Sequence, residues 1–245
     1  MSAQNKSKFE LFDIISNDGE KSVDLVRGVI SFSYYENILS PMITAKAVVV
    51  NTGFTINDGE GERSSIYNGL PLNGGEKVSI KIPATAEGPG IEFTEQNGNE
   101  LYIASITNVL VSAEKETFTI NLVSREAITN ETSRIGKKFP SSEPISDSVK
   151  EIIKNYLVSD KNVDIDTTQN PYGFIGNMKK PFTTLTWLAT KSVPGNVSGG
   201  DATAGYFFFE TYLGYHFRSI DSLIAQPPYE IEYTYSPKVI DNQAA

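Results

Sequence analysis

The chain has 245 residues, no cysteine and a formal net charge of -9. The lack of cysteine excludes disulfides, thiolate-ligated zinc, iron–sulfur clusters and cysteine nucleophiles, and the acidic balance argues against a protein that grips nucleic acid. With 39% hydrophobic and 11% aromatic residues, the sequence predicts a globular protein of one large or two smaller domains, and its apolar runs are strand-sized, well short of the ~20 residues of a membrane span.

Alternating apolar residues predict strands from the start of the chain. Phe9–Asp13 alternates weakly before a turn at Asn17–Gly19. Val29–Tyr34 and Ile43–Val49 form a predicted strand pair around a turn at Ser40–Pro41. The residues expected on the buried faces of this pair are Ile30, Phe32, Tyr34, Ile43, Ala45, Ala47 and Val49.

Three more predicted strands follow a glycine-rich loop. Val78–Ile82 is a short alternating run that Pro83 ends, and Leu101–Val111 and Thr117–Ser124 form a long hairpin. The second strand of this hairpin is expected to bury Phe118, Ile120 and Leu122. Residues 1–124 are therefore predicted to form a small antiparallel β-barrel.

The pattern becomes helical after residue 124. Arg125–Pro144 is polar and is predicted to be a connector. The apolar spacing predicts one amphipathic helix at Asp147–Leu157, with Ser146 as its N-cap, and a second at Thr183–Ser192. The expected buried residues are Ile145, Val149, Ile152, Ile153, Tyr156, Leu157, Phe182, Leu185, Leu188 and Ala189. Residues 125–203 are thus predicted to be an inserted α/β domain with two helices.

Aromatic runs near the C-terminus predict a further hairpin. Tyr206–Phe209 and Tyr215–Phe217 flank a short connection that contains a glycine, and Arg218–Leu223 reads as a brief helical or irregular segment. Tyr229–Tyr235 alternates as a strand would. Residues 204–245 are therefore predicted to begin a second β-barrel, which makes the fold class α+β and mainly β.

No group of residues predicts catalysis, cofactor binding or metal binding. His216 is the only histidine and lies on an aromatic strand, and no G-x-S-x-G elbow precedes a serine, so a structural histidine is favoured. Asp160–Asp164 has the opening spacing of a calcium loop, but Ile165 stands where glycine is needed. Glu230 and Glu232 share a strand face, which suits a half-exposed strand better than a glycosidase.

Seven segments carry a resemblance through their order along the chain. They are Val29–Val50, Gly69–Val78, Leu122–Glu126, Asp147–Leu157, Lys180–Phe182, Phe208–Thr211 and Phe217–Leu223. In this order, which spans most of the chain, the sequence resembles the baseplate hub proteins of contractile-tailed phages, relatives of the N-terminal hub region of type VI secretion spike proteins.

The resemblance implies a non-enzymatic homotrimer in the tail baseplate of a virion, assembled in the host cytoplasm. In that family each chain carries two similar barrels, so three chains match a six-fold tail tube to a three-fold central spike. It implies the tube protein, the spike protein and baseplate wedge proteins as partners, DNA that passes through the lumen without specific binding, and no membrane insertion. Because residues 204–245 supply only the beginning of a second barrel, we expect a trimmed piece of a longer hub, or strands supplied from elsewhere.

The alternative function is an acidic, β-rich carbohydrate-binding module of a tail fibre or adhesin. Such a module would present an exposed aromatic platform to a glycan. The single tryptophan, Trp187, lies on a predicted helix, which disfavours this alternative.

Overall fold

A computed structural model of the chain describes residues 8–51, 56–57, 63–64, 70, 72–84, 90–112, 115–195 and 205–228. The strands are β1 (Leu11–Ile15), β2 (Ser22–Asp24), β3 (Val29–Tyr35), β4 (Thr44–Asn51), β5 (Ile56–Asn57), β6 (Arg63–Ser64), β7 (Lys77–Ile82), β8 (Ile91–Phe93), β9 (Leu101–Val111), β10 (Glu116–Ser124), β11 (Lys138–Phe139), β12 (Val163–Ile165), β13 (Phe174–Ile175), β14 (Tyr206–Thr211) and β15 (Gly214–Ser219). The helices are α1 (Arg125–Thr132), α2 (Ile145–Asn155), α3 (Pro181–Ala189) and α4 (Ile220–Ile224), with a 3-10 turn at Glu95–Asn97. The mainly β fold class is confirmed, with 41% strand and 19% helix.

The first half of the chain forms one curled antiparallel sheet, a half-barrel. Its strands run in the order β2-β1-β7-β9-β10-β4-β3, and β8 pairs with the end of β7. The strands predicted at Val29–Tyr34, Ile43–Val49, Val78–Ile82 and the long hairpin are all present.

The concave side of this sheet buries the first of two apolar cores. The alternation predicted for Ile43–Val49 and for β10 is confirmed, because the residues predicted to be buried are at most 3% exposed: Ile43, Ala45, Ala47, Val49, Phe118, Ile120 and Leu122. The face predicted for Ile30 is wrong, since this side chain is 65% exposed. A register shift between Val29 and Ser31 accounts for the error, because a bulged residue leaves the strict period of two.

The second half contains a helix that the sequence did not predict. Arg125–Pro144 is not a simple connector, since α1 directly continues β10. The predicted N-cap is also wrong, because Pro144 occupies that position and Ser146 lies inside α2. The backbone N–H of Ser146 is in the first turn of α2 and has no partner within the helix. It donates a hydrogen bond to Thr168 Oγ1, 3.0 Å away. The second predicted helix, α3, spans Pro181–Ala189 rather than Thr183–Ser192.

The aromatic hairpin is confirmed as β14 and β15, joined by a two-residue turn. β15 also pairs in parallel with β12, which gives a three-stranded sheet. Gly214 opens β15 with φ at 127°, and a Cβ there would lie 2.2 Å from the carbonyl oxygen of Asn162, so no other residue fits this close approach.

A second apolar core joins this sheet to the helices. Its buried members come from α1 to α3, the hairpin, β11, β13 and the loops after α1 and α2, and they are Ala127, Ile135, Phe139, Ile145, Val149, Ile152, Ile153, Leu157, Phe174, Phe182, Leu185, Leu188, Ala189, Tyr206, Phe208, Tyr215 and Phe217. Within the described residues, the hairpin therefore packs on the helical region. The predicted strand at Tyr229–Tyr235 lies outside the described residues, and a second barrel beginning at residue 204 stays a prediction.

Candidate functional site

Among the residues that the structure describes, two long strands of the half-barrel have edges that could accept a further strand, whereas the end strand β2 has only three residues. β3 is the last strand at one end of the sheet, and its one partner among the described strands is β4. β9 pairs with β10 along most of its length, but β7 covers only its first residues, at Leu101 and Tyr102. Within the part of the chain that the structure describes, no strand pairs with the far edge of β9 beyond Ile103, so its backbone donors and acceptors can bind another strand there.

Exposed apolar side chains lie beside both edges. At the tip of the β9–β10 hairpin, Leu110 and Val111 are 70% and 71% exposed. Beside β3, Ile30 is exposed, and Leu39 in the turn toward β4 is 72% exposed. Apolar residues next to an open strand edge are typical of a surface that another protein covers.

The hairpin tip is set at its angle by a bulge in β9. Thr117 pairs with Leu110 and Thr119 pairs with Thr107, so one residue of β10 faces two of β9. Asn108, one of these two, has a φ of 54°, a left-handed conformation that asparagine adopts more readily than most residues. The bulge increases the local twist and so determines where the apolar tip points.

His216 lines a shallow groove of about 460 Å³ beside the aromatic hairpin. Its ring stacks on Phe209, with the ring centroids 4.9 Å apart, and its Nε2 lies 2.8 Å from Thr211 Oγ1. Nδ1 lies 3.6 Å from Asp164, which Arg218 also contacts at 2.5 Å. These contacts hold the ring between neighbouring side chains of the sheet.

The other residues considered in the sequence do not converge on a site. Asp160 is 97% exposed, whereas Asp164 is paired with Arg218, so the two ends of the calcium-like segment lie in different surroundings. Among the described residues, no three His, Cys, Asp or Glu side chains are grouped to hold a metal ion. Glu230 and Glu232 lie outside the described residues.

Trp187 packs within the second core region rather than on an open platform. Its ring meets Tyr172 and Phe174 nearly edge-on, with centroids 5.7 and 5.6 Å away, and Lys179 lies over it. The described helices include none long and apolar enough to cross a membrane.

Three buried charged side chains meet where the two cores adjoin. Lys161, in the loop before β12, has its Nζ 2.9 Å from Glu126 Oε2 on α1 and 2.6 Å from Glu210 Oε1 on β14. The lysine side chain is 7% exposed and both carboxylates are 0% exposed. The other oxygen of Glu210 accepts hydrogen bonds from the Ile43 N–H at 2.9 Å and the Ser124 hydroxyl at 2.7 Å. Glu210 therefore links the hairpin to both β4 and β10.

Burial and the neighbouring charges have opposing effects on the pKa values of these three groups, and the net result differs from one group to the next. Burial raises the pKa of Glu210, and the attraction of Lys161 offsets this only in part. Burial also acts to raise the pKa of Glu126, but the charge of Lys161 and hydrogen bonds from Ser159 and Lys161 leave that pKa lowered. Burial alone would lower the pKa of Lys161, yet the two carboxylates together raise it.

Sequence reasoning missed this triad entirely. Its members are separated by 35 and 49 residues, and each belongs to a type that is common on protein surfaces. The one available signal was Glu210 itself, a carboxylate directly after four aromatic residues on a strand predicted to be buried.

The fold has a counterpart among solved structures. The 43 kDa tail protein of prophage MuSo2 from Shewanella oneidensis superposes with a TM-score of 0.52 at 11% identity, covering 86% of this chain and 54% of that one. This chain has the fold of a phage tail protein. The resemblance that the order of its segments predicted is confirmed at the level of fold.

Two further tail-related structures show weaker likeness. A tail protein from Neisseria meningitidis gives a TM-score of 0.49 at 11% identity and covers 86% of this chain and 50% of its own. An E. coli component of the type VI secretion system gives 0.44 at 9% identity, with 90% and 48% covered. The chain thus spans about half the length of these structures. No protein-family model matches the sequence, and no curated protein matches it.

Proposed function

We propose that this protein is a non-enzymatic structural hub component of a phage-like contractile tail baseplate, in which it joins the six-fold tail tube to the three-fold central spike. The observation that carries the proposal is the curled sheet with open edges at β3 and β9, on a fold shared with a prophage tail protein. Sheets with open edges are completed by further strands, and copies of one chain arranged around an axis can supply them.

The proposed assembly is a homotrimer whose sheets enclose a lumen. In each copy, the apolar tip at Leu110 and Val111 is covered by a neighbour, which removes exposed hydrophobic surface from water. The net charge of -9 suits a channel from which DNA is ejected, because an acidic wall repels phosphates and lets the strand pass without binding. The tube protein, the spike protein and wedge proteins are the partners of this assembly in the virion.

The oligomer mass tests the proposal directly. We expect native mass spectrometry and light scattering to give three chains per particle, and the double variant Leu110→Lys with Val111→Lys to weaken association by about tenfold or more, equivalent to about 1.4 kcal/mol. Ile175→Lys is the matched control, since Ile175 is 56% exposed on the small β11–β13 sheet and lies far along the chain from β9. A monodisperse monomer at high protein concentration would contradict the proposal.

Electron microscopy tests the place of the hub in the tail. We expect rings of the protein that stack on tail tube protein and accept the spike protein at the opposite end. Rings that bind neither partner would leave the assembly intact but remove its role as an adaptor.

A further inference from the structure

We propose that Lys161 and Glu210 become joined by an amide bond that forms autocatalytically inside the folded chain. Every group that such a condensation requires is present in the buried triad: an amine, a carboxyl group, donors to the developing oxyanion and a base. The inference concerns the covalent structure of the chain and does not depend on the proposed assembly.

The amine and the carboxyl group are held in contact. Lys161 Nζ lies 2.6 Å from Glu210 Oε1, and both side chains are buried. Holding two reacting groups in this way replaces an encounter in solution by effective concentrations of about 10⁵–10⁸ M. Burial of the side chains also favours condensation, because bulk water reaches the product poorly and hydrolysis is slowed.

The second oxygen of Glu210 lies in a pair of hydrogen-bond donors. The backbone N–H of Ile43 and the hydroxyl of Ser124 donate to Oε2, at 2.9 and 2.7 Å. When an amine attacks a carboxyl carbon, negative charge develops on one oxygen, and fixed donors at hydrogen-bond distance stabilise it.

Glu126 is placed to act as the base. Its Oε2 lies 2.9 Å from Lys161 Nζ, and its Oε1 accepts a hydrogen bond of 2.6 Å from the Ser159 hydroxyl. Arg125 also lies 3.5 Å from Oε1. These contacts keep Glu126 ionised and its free oxygen directed at the ammonium group, as a general base requires.

The protonation tendencies of the triad favour the acid form of Glu210 and oppose the transfer of a proton from Lys161 to Glu126 before bond formation. Burial raises the pKa of Glu210, which favours the neutral acid that an amine can attack with loss of water. The pKa of Glu126 is lowered despite burial, so this carboxylate is ionised but weakly basic, and it takes the proton as the bond from Nζ to Cδ forms. Lys161 remains an ammonium group until that transfer occurs, because the two carboxylates raise its pKa.

The reaction balances without any further reagent. Glu210 starts as the neutral acid with its proton on Oε1. Glu126 Oε2 takes one proton from the Lys161 ammonium group, and the neutral Nζ forms a bond to Cδ of Glu210. A second Nζ proton moves to Oε1, whose bond to Cδ breaks, and Oε1 leaves as water. The products are a neutral amide, one water molecule and a protonated Glu126, so the charges of one ammonium group and one carboxylate are cancelled.

Mass spectrometry of the denatured full chain tests the bond. We expect the folded wild-type protein to be lighter than its sequence mass by one water molecule, and a tryptic digest to contain a branched peptide joining Lys161 to Glu210. A chain that is synthesised and kept in urea should retain the full sequence mass, because the unfolded chain does not bring Lys161, Glu126 and Glu210 together. A folded wild-type protein that retains the full mass after prolonged incubation overturns the proposal.

Variants separate the roles of the three residues. Lys161→Arg keeps the positive charge but should abolish the mass loss, and Glu126→Gln should slow it by about 10²–10⁴-fold, the usual contribution of a general base. Glu131→Gln is the control on the same helix, since Glu131 is 62% exposed, and it should lose water at the wild-type rate. Bond formation at the wild-type rate in Glu126→Gln would overturn the role given to Glu126. If a variant does not fold, the mass of the folded wild-type protein alone decides whether the bond forms.

The mass measurement is independent of the oligomer measurement. A chain that carries the bond but stays monomeric contradicts only the hub assembly. A trimer whose chains retain the full mass contradicts only the bond.

Discussion

Glu76 is a fully buried carboxylate that holds the turn before β7. Its Oε1 accepts hydrogen bonds from the backbone N–H groups of Asn73 and Gly74, at 2.6 and 3.1 Å, and from the side-chain amide of Asn17 at 3.3 Å. This carboxylate therefore connects the turn to the loop after β1 through the hydrogen bonds that it accepts.

Truncation of Glu76 should destabilise the protein. We expect Glu76→Ala to lower the free energy of unfolding by about 1–3 kcal/mol, because buried backbone donors lose their acceptor. Urea denaturation measures the change. Glu95→Ala is the control, since Glu95 is 74% exposed in its ion pair with Lys77 and such pairs contribute only about 0–1 kcal/mol. Equal effects of the two substitutions would contradict this account of the turn.

Asp13 and Asp24 lie directly opposite each other on β1 and β2. Burial raises the pKa of Asp13, and the nearby charge of Asp24 raises it further. A carboxyl group with a raised pKa in the folded state stabilises the fold in acid, and this contribution is lost as the pH rises through that pKa. At neutral pH the pair is therefore a source of repulsion between neighbouring strands.

Removal of the Asp13 charge should stabilise the protein at neutral pH only. We expect Asp13→Asn to raise the free energy of unfolding by about 0.2–1 kcal/mol there, the usual size of a cross-strand pair. The gain should vanish as the pH falls below about 3.9, where the unfolded carboxyl group is also protonated. Urea denaturation at neutral and acid pH measures both values, and Asp160→Asn, at a 97% exposed position, is the control. A gain of the same size at both pH values would show that repulsion is not its cause.

At the scale of elements, the bulge in β9 is the feature that orients the apolar hairpin tip. The left-handed φ of Asn108 suits asparagine or glycine and is strained for a β-branched residue. We expect Asn108→Val to cost about 1–2 kcal/mol in unfolding free energy and Asn108→Gly to be tolerated. Lys46→Val, at an exposed and regularly paired position of β4, controls for the general effect of valine. The bulge has no structural role if valine is accepted equally at both positions.

At the scale of the whole molecule, two apolar cores lie on either side of residue 124. The first gathers residues from the half-barrel, and the second gathers the helices and the aromatic hairpin. Glu210 connects the two cores through the hydrogen bonds that it accepts from Ile43 and Ser124. The two cores are therefore joined both by the buried Glu210 and by Tyr212 of the hairpin turn, whose ring centroid lies 5.5 Å from that of Phe93 in the first core.

Core truncations should act mainly on the core in which they lie. We expect Ile120→Ala and Leu188→Ala each to cost about 2–5 kcal/mol, since both side chains are fully buried. Hydrogen exchange should show the greater loss of protection in β4 and β10 for Ile120→Ala, and in α2 and α3 for Leu188→Ala. Equal loss in both regions for both variants would indicate a single cooperative unit instead.

The sequence by itself determined the elements whose apolar period is local. The alternation of Ile43–Val49 and the stripe on α2 are repeated within a few residues, so burial of one face is encoded without reference to distant partners. The same holds for the hairpin at Tyr206–Phe217, where aromatics and one glycine act over short range. The mainly β fold class and the tail-protein resemblance followed from these elements and their order.

Tertiary structure alone decided the features that depend on partners far along the chain. α1 was missed because its buried residues include Glu126 and Asn130, whose burial is compensated by Lys161 and by the Phe182 N–H, 2.8 Å from the asparagine oxygen. The cap of α2 comes from Thr168, and the triad joins three separate elements. A polar side chain can be buried only when it has hydrogen-bond partners, and a charged one also needs an opposite charge nearby. The fold brings these partners together from distant parts of the chain, so their spacing in the sequence does not reveal them.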